Sequence, residues 1–153
     1  MAETVWQAFP VTEQIRIPEL FSFFRNYYGE GYEFSGETHN FWECLYVLSG
    51  EVCVSADENV YNLTAGEIVF HKPMSLHKFI VTGQGGAELL IFSYSAQGPL
   101  SVWLRDKVFA LSEAQKAIIG SMLGYIQSLD ASGEAACREY KYLVPYLHIS
   151  NYL

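Results

Sequence analysis

The sequence has few cysteines, few basic residues and no long apolar run. Its three cysteines are odd in number and lack metal-type spacing, which favours reduced thiols over a disulfide framework. The 9 Lys and Arg residues are outnumbered by 17 Asp and Glu residues, which argues against nucleic-acid binding by this chain. No apolar stretch approaches the roughly 20 residues that span a bilayer, and the N-terminus lacks the order of a secretory signal. We therefore expect a cytoplasmic protein without a membrane partner.

What the sequence does contain predicts one mainly β domain. Its 153 residues are 50% apolar and 16% aromatic, enough for a packed core. Between about residues 21 and 95, β-branched and aromatic segments are separated by turn signals roughly every 8–12 residues, which is typical of an antiparallel sandwich or barrel. The expected strands are FSFFRNYY, YEF, THNF, ECLYVL, EVCVSA, NVYNL, EIVFH, KFIV and ELLIFSYS.

After Gln97-Gly98-Pro99 the pattern changes, and from Ser112 onward it becomes helical. Ser112-Glu113-Ala114-Gln115 resembles a capping box. The apolar residues that follow at helical spacing are Ile118, Ile119, Met122, Ile126 and Leu129. Residues 130–133 should end this helix, and residues 134–153 contain a second helical segment that Pro145 interrupts. We expect a barrel with an N-terminal arm over residues 1–110 and a helical segment over residues 111–153.

The stretch EGYEFSGETHNFWECLYVLSGEV places Glu37, His39 and Glu43 within a strand-like pattern. Two acids and an imidazole are poor core material unless they face water or converge on a partner. Residues two apart share one face of a strand, so Glu37 and His39 can point the same way. On a straight strand Glu43 would lie about 13 Å beyond His39. The three side chains converge only if the chain folds back and places Glu43 on the neighbouring strand.

The spacing of this stretch is similar to the first motif of the cupins. The matching residues are Gly31, Glu37, His39, Glu43 and Gly50, with Glu37 in place of the usual first histidine. The stretch GEIVFHKPMSLHKFIV resembles the second cupin motif, with Gly66, Pro73 and His77 as its anchors and Pro73 displaced by one position. The resemblance implies a cupin-type antiparallel β-barrel, a double-stranded β-helix, followed here by two helices.

The resemblance also implies a metal site and a ligand pocket. The implied metal ligands are His39, Glu43 and His77, with Glu37 as the fourth, and the ion would be zinc, nickel or iron. A hydrogen-bonded polar cluster without metal is the alternative. The residues expected around a ligand are Glu37, His39, Trp42, Glu43, Tyr46, Phe70, His71 and His77. His71 could instead have a structural role, and the aromatic residues could instead belong to the core.

The sequence of one longer segment looks like the N-terminal sensing domain of AraC-type transcriptional regulators. This segment is GETHNFWECLYVLSGEVCVSADENVYNLTAGEIVFHKPMSLHKF. In that family an effector-binding cupin precedes dimerising helices and then two helix-turn-helix units. The resemblance implies that this chain is a fragment of a longer regulator, which binds a small effector such as a sugar. It would contact DNA only through a C-terminal domain that is missing from the chain.

Two further expectations concern assembly and activity. A homodimer should form through apolar helical positions, namely Ile118, Met122, Ile126, Leu143 and Leu147. The alternative is a monomer in which both helices cover the barrel. We expect a sensor rather than an enzyme, with a metal-dependent cupin oxygenase or isomerase as the second hypothesis.

Overall fold

The computed structural model describes residues 6–131, which form two antiparallel β-sheets and two helices. The strands are β1 Arg16–Tyr28, β2 Glu33–Glu37, β3 Trp42–Ser49, β4 Glu51–Ala56, β5 Asn59–Thr64, β6 Glu67–His71, β7 His77–Val81, β8 Ala87–Gln97 and β9 Val108–Ala110. The helices are α1 Pro99–Trp103 and α2 Glu113–Ala131. The prediction of a mainly β domain of antiparallel sheets followed by helix is confirmed. Within residues 6–131 no helix is long and apolar enough to cross a membrane.

The chain passes repeatedly from one sheet to the other. The five-stranded sheet has the order β1-β8-β3-β6-β9, and the four-stranded sheet has the order β2-β7-β4-β5. The two sheets pack face to face around an inner core. Its buried residues are Leu45, Val47, Val52, Val54, Leu63, Val69, Phe79, Val81, Ala87, Leu89 and Ile91. Strands β1 and β2 are edge strands, each at one end of its sheet.

The five-stranded sheet is buried on both faces. On β3, Leu45 and Val47 belong to the inner core, whereas Cys44 and Tyr46 belong to an outer core beneath α2. The outer core also contains Ile17, Phe23, Trp42, Ile68, Phe70, Leu90, Phe92, Tyr94, Leu104, Leu111, Ile119 and Met122. This double burial explains why β3 and β8 have nearly continuous apolar sequences instead of the alternation of a half-exposed strand.

Helix α2 begins at the expected capping box. The backbone N–H of Ser112 donates to the Gln115 side-chain oxygen at 2.9 Å, and the Gln115 backbone N–H donates to Ser112 Oγ at 3.4 Å. Just before the helix, the N–H of Leu111 donates to the carbonyl of Gly66 at 2.9 Å. The start of α2 is thus tied directly to the barrel.

The structure corrects the predicted dimer contact at Met122. Its side chain is 1% exposed and packs in the outer core, because α2 uses it to dock on the five-stranded sheet. Ile118 is half-buried on the same helix. The side chain of Ile126, together with Leu143, Leu147 and the whole second helical segment, lies outside the described residues.

One local expectation was wrong, and two short elements were not predicted. The segment THNF is not a strand, because residues 38–41 form the loop that crosses from one sheet to the other. Helix α1 and strand β9 were not predicted, since elements of five and three residues have no readable periodicity. Strand β9 forms by pairing with the edge of β6.

Candidate metal centre and ligand cavity

Four titratable side chains meet between the two sheets. Glu37 ends β2 and His77 begins β7 in the four-stranded sheet, whereas Glu43 lies on β3 in the five-stranded sheet. His39 lies in the crossing loop between them. Their nearest oxygen and nitrogen atoms all lie within 4.8 Å of one another. The chain folds back between His39 and Glu43, as convergence required, but Glu43 lies on the facing sheet instead of the neighbouring strand.

A bend at the end of β2 places Glu37 beside His77. The β2–β7 pairing shifts register between Phe34 and Glu37, and Glu37 then lies opposite His77. Gly36 has φ 105°, which L side chains rarely adopt, and a Cβ there would lie 3.0 Å from the His77 carbonyl oxygen. Glycine at position 36 therefore permits both the bend and the close approach of the two strands.

Both imidazoles of the cluster are oriented by backbone carbonyls. His39 Nδ1 lies 2.9 Å from the Phe41 carbonyl oxygen, and His77 Nδ1 lies 3.1 Å from that of Ser75. A carbonyl can only accept, so each Nδ1 carries the hydrogen and each neutral ring presents a lone pair on Nε2. Both Nε2 atoms are buried, and in the neutral rings neither donates a hydrogen bond; the Glu43 oxygen 3.2 Å from His77 Nε2 can accept one only when that nitrogen is protonated. This is the arrangement that protein imidazoles adopt when they bind a metal.

The distances within the cluster fit one small cation. His77 Nε2 lies 3.2 Å and His39 Nε2 lies 3.6 Å from the Glu43 carboxylate oxygens. The same nitrogens lie 3.8 and 3.9 Å from a Glu37 oxygen. Two imidazole nitrogens and two carboxylates form a donor set suited to divalent zinc, nickel or iron. The four residues can therefore hold a divalent metal ion, and an ion would satisfy the two buried Nε2 atoms.

A third imidazole lies beside the cluster but is not part of it. The His71 ring stacks on the His77 ring with centroids 4.3 Å apart, and His71 is 2% exposed. Burial, together with the neighbouring His77 and His39, lowers the pKa of His71 to about 3. Burial also lowers the pKa of His77, but the nearby Glu43 carboxylate outweighs it, so that pKa is raised. His71 is thus a neutral wall of the site, whereas at His77 a proton competes with a metal.

The cluster lies in a cavity of about 390 Å³ between the sheets. Its lining contains Phe21, Ser22, Phe24, Tyr28, Phe34, Glu37, His39, Phe41, Glu43, Leu45, Val54, His71, His77, Lys78, Phe79, Ile91 and Ser93. The half-exposed members Phe21, Phe24 and Glu37 belong to the edge strands β1 and β2, so the cavity opens between these edges.

Five of the eight residues expected around a ligand line this cavity, namely Glu37, His39, Glu43, His71 and His77. Trp42, Tyr46 and Phe70 do not, because they face the outer core beneath α2, on the other side of the sheet from Glu43 and His71. The phenylalanines and aliphatic residues of the wall were not predicted from the sequence. Period-two spacing from Glu43 and His77 was the available signal, since it leads directly to Leu45 and Phe79.

Part of the chain is similar to known proteins. Residues 27–93 match the family model described as the cupin domain. A predicted oxalate decarboxylase from Thermotoga maritima is 22% identical, with 50% of this chain and 67% of that chain covered and a TM-score of 0.48. An RmlC-like cupin from Shewanella frigidimarina is 21% identical, with 55% and 68% covered and a TM-score of 0.44. No significant match was found among curated proteins.

Proposed function

Because residues 27–93 form a cupin domain, we propose that the chain is the effector-sensing and dimerisation domain of an AraC-type transcriptional regulator. The resemblance of the sequence from Gly36 to Phe79 to these sensing domains supports this proposal. So does the order of the elements, in which a barrel that contains a cavity is followed by a docked helix. The sensed molecule is a small ligand that enters the cavity beside the metal centre. DNA is contacted by a domain that follows this chain in the regulator.

One observation carries the proposal: strand β3 is shared by the cavity and the helix. Glu43 faces the cavity, while its neighbours Trp42 and Cys44 face the outer core, where Ile119 and Met122 of α2 pack. A shift of β3 that improves the contacts of Glu43 must therefore move the surface under α2. Because protein interiors are close-packed, such a shift is transmitted and not absorbed.

Sensing requires that the ligand bind one arrangement of barrel and helix more tightly than another. His39, Glu43 and His77 hold the metal ion, and Glu37 is the fourth ligand. When bound, the ion supplies a Lewis-acidic position that can coordinate the polar end of a ligand. Glu37 is 47% exposed at the cavity opening, so it is the cluster residue that an entering ligand meets first.

The helical segment after residue 111 is the proposed dimer interface. With Met122 committed to the barrel, the remaining predicted contacts are Ile118, Ile126, Leu143 and Leu147. A symmetric homodimer would place two DNA-binding domains on paired half-sites. Sedimentation of the protein with Leu147→Glu tests this: a shift from dimer to monomer is expected, and an unchanged dimer would contradict it.

The proposed regulator can be tested with the gene in full and a reporter under its own upstream region. Glu43→Gln should abolish the response to added ligand, because it removes a charged cluster residue that faces the cavity. Val60→Thr is the control, since Val60 is 65% exposed and does not line the cavity. A gene product without a DNA-binding domain, or a reporter response that is identical in both variants, would contradict the regulator.

A metal-dependent enzyme is the second candidate, and the exposure of Glu37 is the observation that favours it. A carboxylate at the mouth of a metal-containing cavity could accept a proton from a bound substrate instead of binding the ion. In that case Glu37→Gln would leave the metal content unchanged and abolish turnover. For a sensor, the same substitution would weaken ligand or metal binding, and no turnover would be found with either protein.

A further inference from the structure

The wall of the cavity has two layers, one polar and one apolar. In the polar layer Glu43 lies opposite both His71 and Ser93, and Glu37 lies opposite His77. Two residues further along the same strands come Leu45, Phe79 and Ile91, and Leu45 lies opposite Ile91. Two residues span roughly 7 Å of a strand. The metal-binding cluster therefore occupies one end of the cavity and hydrocarbon side chains form the wall beside it.

The six side chains of the apolar layer form no hydrogen bonds with a ligand, and the hydroxyl of Tyr28 beside them already accepts a hydrogen bond from Asn26 Nδ2 at 3.4 Å. The layer consists of Phe24, Phe34, Leu45, Val54, Phe79 and Ile91. A sugar carries hydroxyl groups on all sides, and each one placed against this layer would lose its hydrogen bonds to water without replacement. The layer is suited instead to a ring. Phe79 already packs against Phe34 and Tyr28 with centroid distances of 5.6 and 5.3 Å, distances typical of aromatic pairs.

Size and charge narrow the ligand further. An apolar cavity of about 150 Å³ accommodates benzene, so the 390 Å³ found here has room for one or two rings with a polar group. The Glu37 and Glu43 carboxylates repel an anion from the metal-free cavity, and a bound divalent cation neutralises both. Lys78 also lines the cavity. An anionic group can therefore enter once the metal is bound.

We infer that the ligand is a small ring-bearing molecule whose polar end lies at the cluster and whose ring lies against the apolar layer. This inference rests on the proposed ligand-binding function and replaces the sugar that the sequence resemblance suggested. Its chemical class is an aromatic or cyclic compound with an oxygen-rich, metal-coordinating end, such as a hydroxy acid.

Calorimetry on zinc-loaded protein with two matched acids tests the inference. Mandelate and lactate share the same 2-hydroxycarboxylate end, and a ring in mandelate replaces a methyl group in lactate. Mandelate should bind about 10–100-fold more tightly, as expected for several carbons placed in an apolar pocket. Phe24→Ser should weaken mandelate binding about tenfold and leave lactate binding unchanged. Ile80→Ser is the matched control, because Ile80 and Phe24 are both 38% exposed and Ile80 does not line the cavity.

Equal affinities for the two acids, tighter binding of glucose, or an equal loss in both variants would overturn the inference. A neutral pair, benzyl alcohol and ethanol, tests the apolar layer on metal-free protein. If the protein prefers benzyl alcohol and binds no zinc, the result would support the ring site and overturn the assignment of the four residues as metal ligands. If ring-bearing ligands bind more tightly but do not affect DNA binding by the full gene product, only the proposed role as a regulator would be overturned.

Discussion

Replacing His39 with alanine should remove most of the stabilisation that zinc gives to the folded protein. His39 supplies one of the two imidazole nitrogens of the cluster, and its Nε2 lies 3.6 Å from a Glu43 oxygen. The Phe41 carbonyl orients the ring, and the Phe41 side chain stacks on it with centroids 3.9 Å apart. Alanine leaves three donors, one of which is the half-exposed Glu37.

The size of the effect follows from linkage between binding and folding. Free zinc at 100 times its dissociation constant stabilises the folded state by about 2.7 kcal/mol. For a chain of this length, about 2–4 °C per kcal/mol gives a rise in melting temperature of about 5–11 °C. Loss of an outer-shell partner costs 10–100-fold in affinity, so loss of a direct ligand should cost at least about 100-fold. At the same zinc concentration the variant then gains only about 0.4 kcal/mol, or about 1–2 °C.

The assay is differential scanning calorimetry in a zinc buffer, with the zinc-dependent shift as the readout. That readout separates the lost ligand from the lost stacking on Phe41, which lowers the melting temperature with and without zinc. His71→Asn is the matched control, because it removes an imidazole from the same cavity outside the cluster. Equal zinc shifts in the wild type and His39→Ala, or a larger loss in His71→Asn, would refute the assignment of the ligands.

Three other predictions concern the stability of the fold. Met122→Ala should lower the free energy of unfolding by about 2–5 kcal/mol in urea titrations, because Met122 is 1% exposed. Val102→Ala, at a 56% exposed site, should change it little. Similar losses in both variants would contradict the docking of α2 on the barrel. Ser112→Ala should cost about 1 kcal/mol through the lost cap, and Ser121→Ala, inside the helix, serves as its control. His71 has a pKa of about 3 in the folded protein, below its value in the unfolded chain. Between these two values the unfolded chain binds more protons than the folded protein. Metal-free protein should therefore lose stability as pH falls from about 6.5 towards 3, by up to about 1.4 kcal/mol per pH unit. His71→Phe should flatten that acid slope, and parallel curves would show that His71 is not the group responsible.

Much of the fold was readable because several strands are bounded by unambiguous turns. The segments EVCVSA and EIVFH coincide with β4 and β6, each followed by a loop or turn. The capping box at Ser112 fixed the start of α2 for the same reason, since it depends on neighbouring residues alone. The four cluster residues were also identified from the sequence, but their convergence came from the family spacing and not from local geometry.

The orientation of β3 could not be read from its sequence. Trp42 to Val47 are all buried, so the strand shows no alternation that would tell the cavity face from the helix face. Trp42 and Tyr46 were therefore placed around the ligand, although Glu43 faces the cavity and both aromatic side chains face the outer core on the other side of the sheet. The lining contributed by β1 and β8 was also missed, because it depends on long-range pairing, in which β8 pairs with β3 and β1 pairs with β8.

Hydrogen exchange along α2 tests the central claim, that ligand binding in the cavity is transmitted through β3 to the helix. The measurement compares metal-free and zinc-loaded protein, with mandelate added in a third sample. Backbone amides of α2 should exchange more slowly on binding, because Glu43 and the outer core under Ile119 belong to one strand and one sheet. The same comparison in Glu43→Gln should show no change in α2. Wild-type protein that binds zinc and mandelate by calorimetry, yet keeps the same exchange rates along α2, would contradict the claim.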